Sequence, residues 1–107
     1  MNKALAVLAM LLGFASVSTF AQNDPPVGVT GIQNGNSVRE VVYNNSASTV
    51  CIYPYVYESD NVYGSVVPSI QVEPGEQNVN IGAFAQANSQ LDWSVEVRAK
   101  YRTGTCA

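Results

Sequence analysis

The chain has 107 residues, a formal charge of −3 and no histidine. The missing imidazole excludes Ser-His-Asp triads, Cys-His pairs and histidine metal sites. The negative balance makes the chain a poor general partner for nucleic acid or anionic lipid.

The N-terminus reads as an export signal. Lys3 precedes an almost unbroken apolar run from Ala4 to Phe14, and Thr19 and Ala21 supply the small residues of a cleavage site. The run is about 11 residues long, short of the roughly 20 that span a bilayer. This predicts a cleaved secretory signal peptide over 1–21, a single domain over 22–107, a periplasmic or secreted location, and no membrane insertion of the mature chain. The segment after the cut carries four cations and eight acids, a net −4. Three of the cations, Arg98, Lys100 and Arg102, sit close together near the C-terminus. Cys51 and Cys106 both survive cleavage, and an even count in an exported chain predicts that they form a disulfide.

Val, Tyr, Ile and Thr punctuated by Gly, Pro and Asn predict strands throughout. "VGVTGI" is a weak first strand. Asn34-Gly35 signals a tight hairpin, and "SVREVVYNN" follows as a strand from about Val38 to Tyr43. Thr49–Glu58 is the next. "VYGSVVPSIQVE" reads as one strand ending near Val72, with Pro68 marking Val66–Val72 as an edge candidate. "EPGE" sets Pro74 and Gly75 at the centre of a type II turn. "QNVNIGAF" places Val79, Ile81 and Ala83 in phase. The clearest alternation is "LDWSVEVRAKYRT": Leu91, Trp93, Val95, Val97, Ala99 and Tyr101 face inward, with charged residues between them. The sum is all-β: a small immunoglobulin-like or similar antiparallel β-sandwich of about six strands with one disulfide. The Cys…Trp…Cys order invites comparison with immunoglobulin domains, but Trp93 lies 42 residues after Cys51 and only 13 before Cys106, a spacing that departs from theirs and assigns no family.

The run "CIYPYVYE" puts Tyr53, Tyr55 and Tyr57 on one side of a strand, together with Cys51. The opposite side is Val50, Ile52, Pro54 and Val56, which suits a core. If the two cysteines oppose one another directly, Tyr53 faces Gly104, Tyr55 faces Arg102 and Tyr57 faces Lys100. The tyrosines then lie outside, beside cations. Pro54 cannot donate to a ladder, so Thr49–Glu58 is expected at a sheet edge. Two other arrangements stand beside this one. A bulge at Gly104 would flip the phase of Cys106 and bury the tyrosines. An exposed tyrosine ladder can also serve the sheet alone.

Catalytic chemistry is sparse. Glu58 with Asp60, and Glu73 with Glu76, are the nearest carboxylate pairs, and both sit at turns, where acids are ordinary solvating residues. "ESDN" lacks the ligand spacing of a calcium loop. Asn44-Asn45-Ser46 matches a glycosylation sequon. No enzyme, metal or cofactor is expected. The sequence predicts a binding or accessory protein that contacts a protein or glycan through Tyr53, Tyr55, Tyr57, Arg98, Lys100 and Arg102. One alternative is a fibre subunit or assembly factor acting by edge-strand pairing. The other is a small inhibitor presenting "ESDNVYG" or "EPGEQN" as a loop.

Overall fold

The computed structural model describes residues 26–107; the signal peptide expected over 1–21 lies outside them. Seven strands form: β1 Val27–Asn34, β2 Ser37–Asn44, β3 Val50–Asp60, β4 Val62–Val66, β5 Ile70–Val72, β6 Val79–Gln86 and β7 Ser94–Thr103. They make two antiparallel sheets packed together, ordered β1-β2-β6-β4 and β5-β3-β7. The expected sandwich is therefore present, with one strand more than about six.

The core lies between the sheets. Val27, Val29, Val42, Val50, Ile52, Val72, Ile81, Phe84 and Val97 form one buried cluster. Each is aliphatic or aromatic, and burying such a side chain contributes about 1.5–3 kcal/mol. β-Branched residues dominate because they fit a pleated, half-buried surface.

The β1–β2 hairpin closes through Gly35 and Asn36, since Asn34 pairs with Ser37. Gly35 takes φ 64° at the first central position, which is the glycine placement of a II′ turn. The Glu73–Glu76 turn also closes as anticipated. Gly75 has φ 83°, and the Glu76 amide donates to the Glu73 carbonyl at 3.1 Å.

Prolines decide the shape of the second sheet. β3 is its central strand and not an edge, because β5 covers one flank and β7 the other. β5 pairs only with Val50, Cys51 and Ile52. Continuing that register would set Pro54 against Pro68. Neither has an N–H, so the ladder cannot extend past Ile52. The same prolyl break splits "VYGSVVPSIQVE" into β4 and β5, which join different sheets. That segment is two edge strands, not one.

Bulges shift two phases. On β6, Glu40 pairs with Gly82 and Val41 with Asn80, leaving Ile81 as the extra residue. Beyond it the phase inverts: Ala83 is exposed and Phe84 is buried. The expected Val79-Ile81-Ala83 alternation therefore breaks at its last member. On β3, Val56 pairs with Val97 and Glu58 with Glu96, so Tyr57 is the extra residue there.

Two asparagines hold the connections. Asn61 turns the chain from one sheet to the other at φ 56°. Its amide nitrogen donates to the carbonyls of Asn88, Leu91 and Asp92 at 2.9–3.0 Å, and its side-chain oxygen accepts from the Asn88 amide. Residues 91–92 thus give their carbonyls to side chains rather than to a ladder, and β7 begins only at Ser94. Leu91 is consequently 58% exposed, and neither it nor the half-buried Trp93 belongs to the strand. Asn44 is fully buried. Its amide nitrogen donates to Ser48 and Val72 carbonyls, and its oxygen accepts from Ser46. The sequon asparagine is therefore an internal strut, inaccessible to glycosylation in the folded chain.

Cys51 and Cys106 are bridged, with Cα atoms 5.0 Å apart. They do not oppose one another within the ladder. Cys51 faces Arg102; the chain turns back at Gly104, with φ 114°, and this returns Cys106 to Cys51. The Gly104 amide donates to the Thr49 carbonyl at 2.8 Å. Cys51 is fully buried yet lies outside the core cluster, so the bridge covers the outer side of the second sheet and does not cross the interior. Its sequence separation of 55 closes a long loop, for which the chain-entropy relation gives about 4 kcal/mol. Replacing both cysteines by serine should lower the free energy of unfolding in urea by about 2–4 kcal/mol, with the strand signature in circular dichroism retained below the transition. An unchanged midpoint would show that the bridge is energetically idle.

Candidate functional site

The outer face of the second sheet carries two rows of side chains. The β3–β7 register opposes Tyr53 to Lys100, Tyr55 to Arg98, and Cys51 to Arg102. The pairing expected from directly opposed cysteines is thus displaced by four residues along β7. The displacement is even, and a sheet alternates with period two. The tyrosines and cations therefore still share one face, and that face is the outer one. The expected neighbours change: Gly104 and Lys100 are not the partners of Tyr53 and Tyr57.

Exposure rises along β3. Tyr53 is half-buried, Tyr55 is 38% exposed and Tyr57 is 49% exposed. The Arg102 guanidinium donates through Nε to the Tyr53 hydroxyl at 3.0 Å. The Arg98 guanidinium lies 3.3 Å from the centroid of the Tyr57 ring and donates through Nε to a Glu96 carboxylate oxygen at 2.8 Å. Both tyrosine contacts run diagonally between the strands; the bulge at Tyr57 helps to bring its ring under Arg98. The hydrogen bond from Arg98 to Glu96 raises the guanidinium pKa further above its ordinary value. Lys100 lies between the two arginines, opposite Tyr53, and makes no ion pair among the described residues.

All six expected face residues therefore lie on one surface. One cation, Arg98, rests against the Tyr57 ring, and a second, Arg102, donates to the Tyr53 hydroxyl; Tyr55 and Lys100 make no such contact among the described residues. Each of the two contacts ties a long cationic side chain to the tyrosine row. Tyr63, 66% exposed, stands on the outer side of the first sheet, at the far surface of the molecule.

Of the two carboxylate pairs, Glu73 with Glu76 is engaged in hydrogen bonds that hold its turn. Glu73 accepts from the Thr49 hydroxyl at 2.7 Å and from the Gln71 amide at 2.8 Å, and both bonds lower its pKa. Glu76 accepts from the Glu73 amide. The Asn61 side chain in "ESDN" is committed to the 88–92 loop. Among the described residues no three acids or cysteines cluster as metal ligands, and no helix is long and apolar enough to cross a membrane.

One acid was missed as a distinct environment. Glu40 is only 4% exposed. Its carboxylate lies against Gly31, where an added Cβ would meet its oxygens at about 3.4 Å. Burial pushes its pKa up to about 7. The signal was present in "VREVV": Val38, Glu40 and Val42 share one side of β2, and Val42 is core. Comparison with family models, characterised proteins and solved structures returns no match, so the site is read from its own geometry.

The burial of Glu40 gives stability a definite pH dependence. Below about pH 4.5 the carboxyl is protonated in both folded and unfolded chains. Between there and about pH 7 the unfolded chain releases the proton while the folded one retains it, so stability falls as pH rises. The loss amounts to about 3 kcal/mol and levels off above the folded value. Glu40→Gln should remove this component: the difference in urea midpoint between variant and wild type grows in favour of the variant from pH 4.5 to pH 8. A pH-independent difference would show that Glu40 does not titrate as described.

Proposed function

We propose that this protein is a non-enzymatic binding or accessory module whose working surface is the outer face of the β5-β3-β7 sheet. The observation that carries this reading is the contiguous row of Tyr53, Tyr55 and Tyr57 beside Arg98, Lys100 and Arg102. Three of the four cations that follow the expected leader stand on this one face of an otherwise acidic chain. Exposed aromatic area mixed with cations is the composition of interaction hot spots. Tyrosine supplies broad rigid area and a hydroxyl at small entropic cost, which serves a protein or a glycan partner. The bridged cysteines are compatible with an extracytoplasmic location, and the apolar N-terminal run supports export to the periplasm or beyond.

The test is a binding screen of immobilised protein against oligosaccharides and secreted proteins. For any retained ligand, Tyr55→Ala and Lys100→Ala should each weaken affinity about tenfold or more. Tyr63→Ala, on the opposite surface, should leave it within about twofold. Equal affinity in all three variants, each with wild-type circular dichroism, would remove the face from consideration.

A further inference from the structure

β7 is the outermost strand of its sheet, ten residues long, and no described strand pairs with its free edge. The direction of its unused backbone groups follows from Pro54. Pro54 is paired with Ala99 and has no N–H, so that pair exchanges no hydrogen bonds. Hydrogen-bonded pairs alternate along an antiparallel ladder. Arg98, Lys100 and Arg102 therefore spend their backbone groups on β3, while Val97, Ala99 and Tyr101 point theirs outward.

We infer that the free edge of β7 accepts an extended polypeptide strand with an acidic side chain at every second position. The inference rests on the cationic row assigned above to the binding face, and it names a partner for that row. Same-face residues recur about every 6.8 Å along a strand. An added strand with alternating acids would therefore meet Arg98, Lys100 and Arg102 one to one, at the close spacing of cross-strand pairs. Lys100, without an ion pair of its own, is the middle contact. The other side of the added strand would cover Tyr101, which shares the inward parity of Ile52 yet is 48% exposed. Charge also selects the occupant. Two copies of β7 paired antiparallel over the full cationic row would set Lys100 against Lys100 and Arg98 against Arg102, a repulsive arrangement of the kind that guards natural sheet edges.

The probe is a ten-residue synthetic peptide alternating glutamate with valine and threonine, titrated into the disulfide-intact protein. It should bind. An isomer with its glutamates in one block should bind about tenfold more weakly or worse. N-methylation of the peptide residues that face β7 should abolish binding, whereas N-methylation of the alternate residues should not. Ala99→Pro removes one outward donor without touching the β3 ladder and should weaken binding about tenfold; the methylated peptides read the same contact if that variant does not fold. Lys100→Glu should abolish binding and recover it with a peptide carrying lysine at the opposing position. Tyr63→Ala, on the outer side of the other sheet, should leave peptide affinity within about twofold. Equal binding of the block isomer or of the methylated peptides would overturn edge pairing in favour of simple charge attraction. A concentration-dependent dimer formed without peptide would overturn it in favour of self-pairing. Failure of every peptide, with Tyr55-dependent retention of another ligand intact, would overturn the edge inference alone and leave the face standing.

Discussion

Pro54 has no N–H to offer, and the second sheet is arranged around that missing donor. In the central strand of a sheet, successive residues direct their backbone groups alternately to the two flanks. Pro54 turns its blank side toward β5 and so ends that pairing at Ile52. It leaves the other flank complete, where β7 runs alongside β3 for almost its whole length. Pro68 falls at the mirrored position and closes the matter from the other side. The outcome is a sheet that is short on one flank and long on the other. The aromatic and cationic rows follow from it, because the residues that bond β3 to β7 are the ones whose side chains point away from the core.

The outer face is held by interactions that are individually weak. A guanidinium over a phenol ring, another donating to a phenol hydroxyl, and one exposed ion pair are each screened by solvent. None can hold a fold together, and none needs to. The core cluster and the disulfide supply the stability; the face uses its own contacts to limit side-chain freedom. A flat, partly ordered surface loses less entropy when a partner settles on it. The bridge has a local role as well. It pins the chain beyond β7 against Cys51 at one end of the tyrosine row, so that end is rigid while Tyr57 at the other end is half exposed.

Among the described residues two polar side chains are buried, and they are of different kinds. Asn44 is bonded to backbone carbonyls and to Ser46, as the half-exposed Asn61 is bonded to the 88–92 loop, and each holds a connection that carries no regular ladder. A buried group with its hydrogen bonds satisfied, as Asn44 is, specifies one arrangement of the chain. Glu40 is different. It sits on the inner side of β2 beside the bulge at Ile81, and burial strips water from its carboxylate. Its cost is carried by the aliphatic packing around it.

Composition and alternation were enough to predict an all-β sandwich and an internal disulfide, and they grouped the three tyrosines of β3 on one side without deciding whether that side faces the core or solvent. Those properties depend on period two, on hydrophobic content and on cysteine parity, all of which are local or additive along the chain. The register was not legible, because it hinges on a reversal at Gly104 that lets Cys106 reach back past four residues. Neither were the split of 62–72 into two strands, the phase change at Ile81 or the exposure of Leu91. Each of these depends on which backbone groups find partners far away in the chain, such as Pro54 against Pro68, Glu40 against Gly82, and Asn61 against Asn88 and Asp92. Alternation along one strand says which side chains travel together; only hydrogen bonds between distant strands decide what they meet.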